Sequence, residues 1–238
     1  RAVVAAVDPR RVFSDLVDPG EVPPTYLERM RHVRGRGVMA KVNLALSAPP
    51  VLPAHEGDPA PLRGRLLMAR DLDHLERAFD AAKYGERSAE PWLEVSVPSV
   101  LDPSLAPAGQ HVMSIYAHCA PRHLRNAAWT DAREDLAEAI MRTLEPHIPG
   151  LAALVVRREV VTPEDLELGW GCPGGHIFHG EPTLDQSWVA RPQLGWAKYG
   201  TPIDGLFLAS AGTHPGGGLT GMSGLLAART VAQYLVKR

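Results

Sequence analysis

The chain has 238 residues, 45% of them hydrophobic, and a formal net charge of −2, which suffices for a sizeable core in one domain or two small ones. Its 25 basic residues against 27 acidic ones give no electrostatic footprint for nucleic acid, so we expect no nucleic-acid partner. Its two distant cysteines, Cys119 and Cys172, suit a reducing compartment or a chain without disulfides, and no apolar run reaches the length of a transmembrane helix.

The first elements in chain order are a strand and a helix. The apolar run Ala2–Val7 predicts a buried strand, and Asp8-Pro9 turns the chain after it. A strand that is buried on both faces needs neighbours, so we expect this chain to be a fragment of a longer protein. Pro23-Pro24 then starts a helix whose apolar residues recur at helical spacing as far as Val33.

The central part of the chain alternates apolar and polar residues in several short runs, which is typical of strands with one buried face. The predicted strands are Val38–Leu46, Arg65–Ala69, Trp92–Val97 and His111–His118. A loop rich in proline and glycine covers Ala48–Gly64, and Asp71–Lys83 has the apolar spacing of a helix. We expect the first, third and fourth of these strands to share one sheet.

The strongest helical pattern is Asp131–His147, which we expect to cover one face of that sheet. Asp131 and Glu134 have the spacing of a capping box at its start. Further strands are predicted at Leu151–Val161 and Leu206–Ala211, and a final helix from about Leu219, with an apolar stripe of Leu225, Ala228, Ala232 and Leu235. Strands and helices mix without strict βαβ alternation, so the fold class is α/β or α+β with a mixed sheet.

The segment between Gly169 and Gly205 has little periodicity but contains several residue types that bind metals or ligands. Cys172, His176 and His179 have a C-x3-H-x2-H spacing that could hold zinc with Cys119 as a fourth ligand. The spacing fits no standard structural zinc pattern, so we predict no metal. The histidines are expected to form hydrogen bonds within a loop or to face a pocket. Arg191 would make a surface or structural ion pair, or place a fixed cation beside a ligand.

Four aromatic residues crowd the same segment, namely Trp170, Trp188, Trp196 and Tyr199. Aromatic residues at this density usually fill a core, although they can also line an apolar pocket, and we favour the core.

The sequence GTHPGGGLTG, from Gly212 to Gly221, follows an apolar strand and precedes the last helix. Glycines let the main chain approach a ligand, and a helix N-terminus presents unpaired N–H groups to an anion or an electron-rich carbonyl. Residues 216–221 match G-x-G-x-x-G literally, but no further strand or acidic residue follows as a first Rossmann turn requires. The alternative is a turn that only lets the last helix pack closely on a strand.

The tail GLFLASAGTHPGGGLTGMSGLLAAR resembles the C-terminal flavin-contacting motif of the phytoene desaturase-like FAD-dependent oxidoreductases, where a strand of the type GLYLxGxGTHPGGG leads into a final helix. The upstream GCPGGHIFHGEPTLDQSWVARP and the segment KVNLAL are similar to the same family. The resemblance covers most of the chain and is closest to the branch of pyridine nucleotide-disulfide oxidoreductase domain-containing proteins.

The resemblance implies that residues 1–34 are a tail segment of an FAD-binding Rossmann-type domain and that residues 35–170 are a mixed-sheet substrate domain. Residues 171–238 would be a pocket loop and the flavin-contacting strand, turn and helix. The residues implied in FAD binding are Gly212, Thr213, His214, Pro215, Gly216, Gly217, Gly218, Leu219, Thr220 and Gly221. Thr213 and His214 would flank the flavin ring or ribityl chain, and no catalytic acid or base stands out.

The family's ADP-binding fingerprint has no counterpart here, so the resemblance implies a C-terminal portion that lacks the N-terminal FAD-binding half and is inactive by itself. The implied activity is flavin-mediated hydride removal from an apolar, isoprenoid-type substrate, as in carotenoid biosynthesis. The implied location is cytoplasmic, with peripheral membrane contact as an option. Two alternatives stay open, namely a non-catalytic interaction or chaperone-like protein with the family fold, and a flavin-dependent carotenoid isomerase.

Overall fold

The computed structural model describes residues 1–237 and divides into two compact units. The terminal unit consists of residues 1–36 together with the chain from Leu166 onward, and the central unit is Gly37–Asp165. The domain boundaries that the sequence implies after residues 34 and 170 stay a prediction. The assignment of the terminal unit to a flavin domain and of the central unit to a substrate domain stays a prediction.

Strands and helices alternate irregularly along the chain, joined by short 3-10 turns. The strands are β1 (Val3–Ala5), β2 (Met39–Leu46), β3 (Arg65–Met68), β4 (Leu93–Ser96), β5 (His111–His118), β6 (Val155–Val161) and β7 (Leu206–Leu208). The helices are α1 (Pro9–Arg11, continued by a π-helical turn at Val12–Leu16), α2 (Pro24–Arg31), α3 (Leu72–Lys83), α4 (Trp129–Leu144), α5 (Leu151–Leu154), α6 (Pro163–Trp170) and α7 (Met222–Val236).

The central unit is built on a five-stranded sheet in the order β3-β4-β5-β2-β6, with every neighbouring pair antiparallel. Along β2 every second residue is buried, so one face carries the core and the other is open, as expected for an antiparallel sheet with one packed face. The predicted grouping of β2, β4 and β5 in one sheet is confirmed.

Helix α4 covers the packed face of this sheet, as predicted. Its residues Leu136, Ile140 and Leu144 share one core cluster with Val42 and Leu44 of β2. Large aliphatic side chains that are removed from water at this interface supply the main stabilising term of the unit.

The capping box predicted for this helix is wrong. The helix begins at Trp129, two residues earlier than predicted, and Ala128 at the N-cap offers no side-chain hydrogen bond. Trp129 is buried, and its indole N–H donates to the carbonyl oxygens of Pro121 and Arg122. The carboxylate of Glu134 instead pairs with Arg158 of β6. The anchoring of this tryptophan in the core, which the local pattern does not reveal, accounts for the earlier start.

The terminal unit contains the second sheet, a parallel pair of β1 and β7 in which Val3 faces Leu206 and Ala5 faces Leu208. Its core consists of residues from both ends of the chain, because Phe13, Tyr26 and Met30 cluster with Leu208. The ring of Tyr26 lies edge-on to those of Phe13 and Trp196, at centroid distances of 4.9 and 5.0 Å. Such aromatic pairs contribute a modest stabilisation in addition to that from the apolar area they bury.

Helix α7 follows β7 as predicted but begins at Met222, three residues after the predicted start. Ser223 and Ala227 are buried, whereas Leu225 and Leu235 remain 47% and 48% exposed. The apolar stripe that predicts this helix therefore lies on a face that the terminal unit does not cover. The mixture of parallel and antiparallel sheets with helices agrees with the predicted fold class.

Candidate functional site

The glycine turn Gly212–Gly221 starts where two parallel strands end side by side. The chain leaves β1 through Asp8-Pro9 and leaves β7 through Ser210-Ala211. A Cβ atom on Gly212 would lie 2.3 Å from Cδ of Pro9 and 3.1 Å from Cβ of His179. The first glycine of the turn is therefore required for the close approach of the two strand ends.

The first part of the turn is closed by its own hydrogen bonds. The Ser210 hydroxyl accepts from the main-chain N–H of Gly212 at 3.1 Å, and the Ser210 carbonyl accepts from both the N–H and the hydroxyl of Thr213. The carbonyl of His214 accepts from the hydroxyls of Tyr199 and Ser223 at 2.9 and 3.1 Å. Thr213 is completely buried, so its side chain acts within the turn.

The second part of the turn is open. Residues 217–221 are exposed, and Gly216, Gly218, Leu219 and Gly221 all have positive φ angles. Among residues 1–237, the main-chain N–H groups of Gly216 through Gly221 donate to no protein acceptor. Together with the N-terminus of α7, they form a row of unpaired donors that an anion or carbonyl can approach.

Arg191 lies directly beneath this turn, with its Cδ 3.8 Å from where a Cβ on Gly216 would be. The residue is buried, and its guanidinium donates to the carbonyls of Ala211 and Gly180, both at 2.9 Å. No carboxylate pairs with it among residues 1–237. Of the two alternatives for Arg191, the surface or structural ion pair is therefore wrong, because main-chain carbonyl groups surround this cation.

Asp8, His176 and His179 are further ionisable residues of the candidate site. The buried carboxylate of Asp8 caps α1 through the N–H of Arg10 at 2.8 Å and pairs with the Arg10 guanidinium at 2.7 Å. Burial, with a smaller effect of Arg10, lowers the pKa of His176 to about 4. Burial also lowers the pKa of His179. Both imidazoles are therefore neutral at physiological pH.

Two buried imidazole nitrogens at this site lack a hydrogen-bond partner among residues 1–237, namely Nδ1 of His179 and Nδ1 of His214. Buried polar atoms are nearly always paired in folded proteins, so such atoms indicate where a ligand or water can bind. They adjoin the two strand ends and the open glycines.

The described residues contain no group of three or more His, Cys, Asp or Glu side chains placed to hold a metal ion. Cys119, considered as a fourth zinc ligand, is buried in the central unit beside Trp92, and burial raises the pKa of its thiol to about 11. A thiol with a raised pKa is a weak metal ligand, because metals bind the thiolate.

The favoured core placement of the four aromatic residues is only partly right. Tyr199 is buried and Trp196 is half-buried, whereas Trp170 and Trp188 are 64% and 60% exposed. Sequence reasoning also missed Arg10, Ser210 and the cation environment of Arg191. The turn dipeptide Asp8-Pro9 at the end of an apolar strand was the available signal for the acidic residue of the site. The strand was predicted to be buried, but Val3 and Val4 are exposed in the terminal unit.

The depressed pKa of His176 makes the stability of the terminal unit depend on pH. Because folding lowers this pKa from 6.5 to about 4, the unfolded chain binds more protons, and stability falls as pH decreases from about 6.5 towards 4. We expect the thermal midpoint to drop between pH 7 and about pH 5, and to drop less in His176→Asn. Equal drops in the two proteins would show that His176 titrates normally in the folded state.

Comparison with known proteins gives relatives over the whole chain. The chain is 34% identical over 243 residues to the rat protein named pyridine nucleotide-disulfide oxidoreductase domain-containing protein 2, covering 99% of this chain and 42% of that protein. It is 32% identical over 143 residues to the neurosporene-forming phytoene desaturase of Cereibacter sphaeroides, covering 59% of this chain and 26% of the relative. No family model matches the chain.

Among solved structures, an oxidoreductase from Methanosarcina mazei aligns with 100% of this chain and 43% of its own, with a TM-score of 0.54 and 15% identity. This likeness supports the fold alone. No helix within residues 1–237 has the length and apolar character needed to span a membrane. The chain spans less than half the length of the curated relatives above. As its C-terminal motif predicts, the chain is homologous to pyridine nucleotide-disulfide oxidoreductase domain-containing protein 2 and to the phytoene desaturases.

Proposed function

We propose that this chain carries the flavin-contacting turn and the substrate domain of an FAD-dependent oxidoreductase of the dehydrogenase or desaturase type. The observation that carries the proposal is the row of unpaired N–H donors at Gly216–Gly221, between the end of β7 and the start of α7. Donors of this kind stabilise phosphate oxygens, or the negative charge that develops at the carbonyl edge of a reduced flavin.

The polar groups present fit an anionic cofactor such as FAD. The open glycines carry no side chains that would collide with a planar ring or a pyrophosphate, and the unpaired Nδ1 atoms of His179 and His214 offer polar contacts beside them. The bound flavin would supply hydride acceptance, which no side chain can perform. The chain's own contribution would be to orient the cofactor and to keep neutral imidazoles beside it.

For the substrate, the names of the relatives favour an apolar molecule, since several are phytoene desaturases and another is a 4,4'-diapolycopen-4-al dehydrogenase. We extend the same class, an apolar isoprenoid-like compound, to this chain. Hydride removal from such a molecule requires positioning more than acid or base catalysis, which agrees with a site where Asp8 is bound to Arg10 and both histidines are neutral.

Besides a substrate, the proposal includes a protein partner, namely an N-terminal FAD-binding portion. A two-stranded parallel sheet is rarely left open, because parallel sheets are normally covered on both faces. Val3 and Val4 of β1 and Leu225 and Leu235 of α7 are nevertheless exposed. Further strands and helices of a dinucleotide-binding domain would cover these surfaces and supply most of the contacts to the ADP part of the cofactor.

The proposal predicts weak FAD binding by the 238-residue chain alone. About four main-chain donors to a charged group contribute about 2 kcal/mol each, and association costs at least about 4 kcal/mol, so the dissociation constant should be no tighter than about millimolar. Equilibrium dialysis against FAD measures this constant. A yellow protein with stoichiometric flavin after gel filtration would contradict the expectation that the other contacts lie outside this chain.

Gly217→Val tests whether the open glycines carry the binding. A Cβ at this position meets the Phe178 ring at 2.7 Å and covers the exposed main chain, so the FAD bound at a fixed concentration should fall at least several-fold. Gly169→Ala in α6 is the control, since its Cβ meets no atom within 4 Å among residues 1–237 and should leave binding unchanged. Equal binding by all three proteins would identify the turn as a packing device.

A further inference from the structure

All five N–H donors of the Arg191 guanidinium are used, and each reaches a main-chain carbonyl. Nε donates to Ala211 at 2.9 Å, Nη1 to Glu181 and Gln186 at 3.4 Å each, and Nη2 to Gly180 at 2.9 Å and to Phe178. This saturation is unusual for a buried arginine, because such a residue normally pairs with a carboxylate. Only the planar fork of arginine provides so many donors, since lysine has three.

These bonds join two parts of the site that are distant in the chain. The loop Phe178–Gln186 supplies four of the carbonyls, and Ala211, the residue before the glycine turn, supplies the fifth. Gly180 fits beneath the guanidinium with a φ of +130°, where a Cβ would lie 3.6 Å from Nη2. The loop and the start of the turn are therefore held at a fixed separation by one side chain.

The same residue places a positive charge beneath the turn, and no carboxylate among residues 1–237 pairs with it. The carboxylate that acts electrostatically on Arg191 is that of the buried Asp8, and it is already paired with the Arg10 guanidinium at 2.7 Å. Carbonyl dipoles solvate the guanidinium but do not neutralise it, so the field at the turn favours a ligand with negative charge.

We propose that Arg191 is the positioning residue of the glycine turn: it ties Ala211 to the loop Phe178–Gln186 so that the N–H donors of Gly216–Gly221 are arranged in advance for an anionic cofactor group. The guanidinium does not contact that group, because all its donors are used by the chain itself. The proposal rests on the proposed function, since it assumes that FAD binds at this turn.

The test compares the wild-type chain with Arg191→Ala, Arg191→Lys and Arg29→Ala. Arg29 is a matched control because it is exposed and forms no ion pair among residues 1–237. Two quantities are measured, the amide hydrogen exchange of each peptide and the FAD bound at equilibrium dialysis. Both are repeated with added methylguanidinium, which can occupy the space that alanine leaves.

We expect exchange of the hydrogen-bonded amides in Phe178–Gln186 and at Gly212 and Thr213 to rise at least tenfold in both Arg191 variants, and the bound FAD to fall at least threefold. Methylguanidinium should restore both quantities in Arg191→Ala, and Arg29→Ala should behave as wild type. Arg191→Lys keeps the charge, so its failure to bind would separate positioning from charge.

Three results would overturn the role of Arg191 while leaving the proposed function intact. They are unchanged FAD binding despite faster exchange, lost binding without faster exchange, and faster exchange throughout the terminal unit that methylguanidinium does not restore. A wild-type chain that binds no FAD at all would instead remove the proposed function, and the positioning role with it.

Discussion

Replacing Gly212 with valine is expected to destabilise the terminal unit by about 3 kcal/mol. The new Cβ would lie 2.3 Å from Cδ and 2.7 Å from Cγ of Pro9, and a proline ring cannot rotate away as a flexible side chain can. The ends of β1 and β7 would have to separate, which disturbs the Ser210 hydrogen bonds that close the turn. Urea unfolding followed by far-UV circular dichroism measures the change.

The control for this substitution is Gly224→Ala in α7. It introduces a Cβ that meets no atom within 4 Å among residues 1–237, and alanine is a better helix former than glycine by about 1 kcal/mol. The control should therefore be neutral or slightly stabilising. If Gly212→Val unfolds at the wild-type urea concentration, the contact between the two strand ends is looser than described and the turn is not a rigid platform.

Replacing Trp129 with alanine is expected to cost the central unit about 4 kcal/mol. The side chain is 1% exposed, lies in the core cluster beneath the five-stranded sheet, and donates its indole N–H to the carbonyls of Pro121 and Arg122. Alanine leaves a large cavity and two carbonyls without their donor. The free energy of unfolding from urea titration measures the loss.

Two further variants separate the contributions at this position. Trp129→Phe keeps most of the apolar volume but removes the donor, so it should cost less than alanine. Its own cost should include about 1–2 kcal/mol for the lost hydrogen bonds. Trp170→Ala, at a side chain that is 64% exposed, should change stability by less than about 0.5 kcal/mol. Comparable losses at Trp129 and Trp170 would contradict the described core.

The sheet of the central unit was predictable because its strands are half-buried and alternate strictly. Trp92–Val97 and His111–His118 each place apolar residues at every second position, and that period has no helical alternative. The start of α4 was not predictable from the capping pattern of Asp131 and Glu134. It depends on the burial of Trp129 against Pro121, a tertiary contact that overrides the local preference.

At the candidate site, the order of strand, glycine turn and helix was predictable from residues 206–236, since the apolar run and the glycines are contiguous. The environment of Arg191 was not, because its partners are carbonyl oxygens, which every residue possesses and no sequence pattern marks. The exposure of Trp170 and Trp188 was mispredicted for a related reason, since aromatic density does not tell which side of a loop faces the core.

The most direct test of the flavin-contacting role is to map FAD onto the amide resonances of the isotopically labelled chain. This measurement detects millimolar binding and identifies the residues involved. We predict saturable shifts at Gly216–Gly221 and at the start of α7, with smaller shifts at His179 and none on the open sheet face of β2. Shifts spread over both units, or absent from the glycine turn while FAD binds elsewhere, would contradict the account.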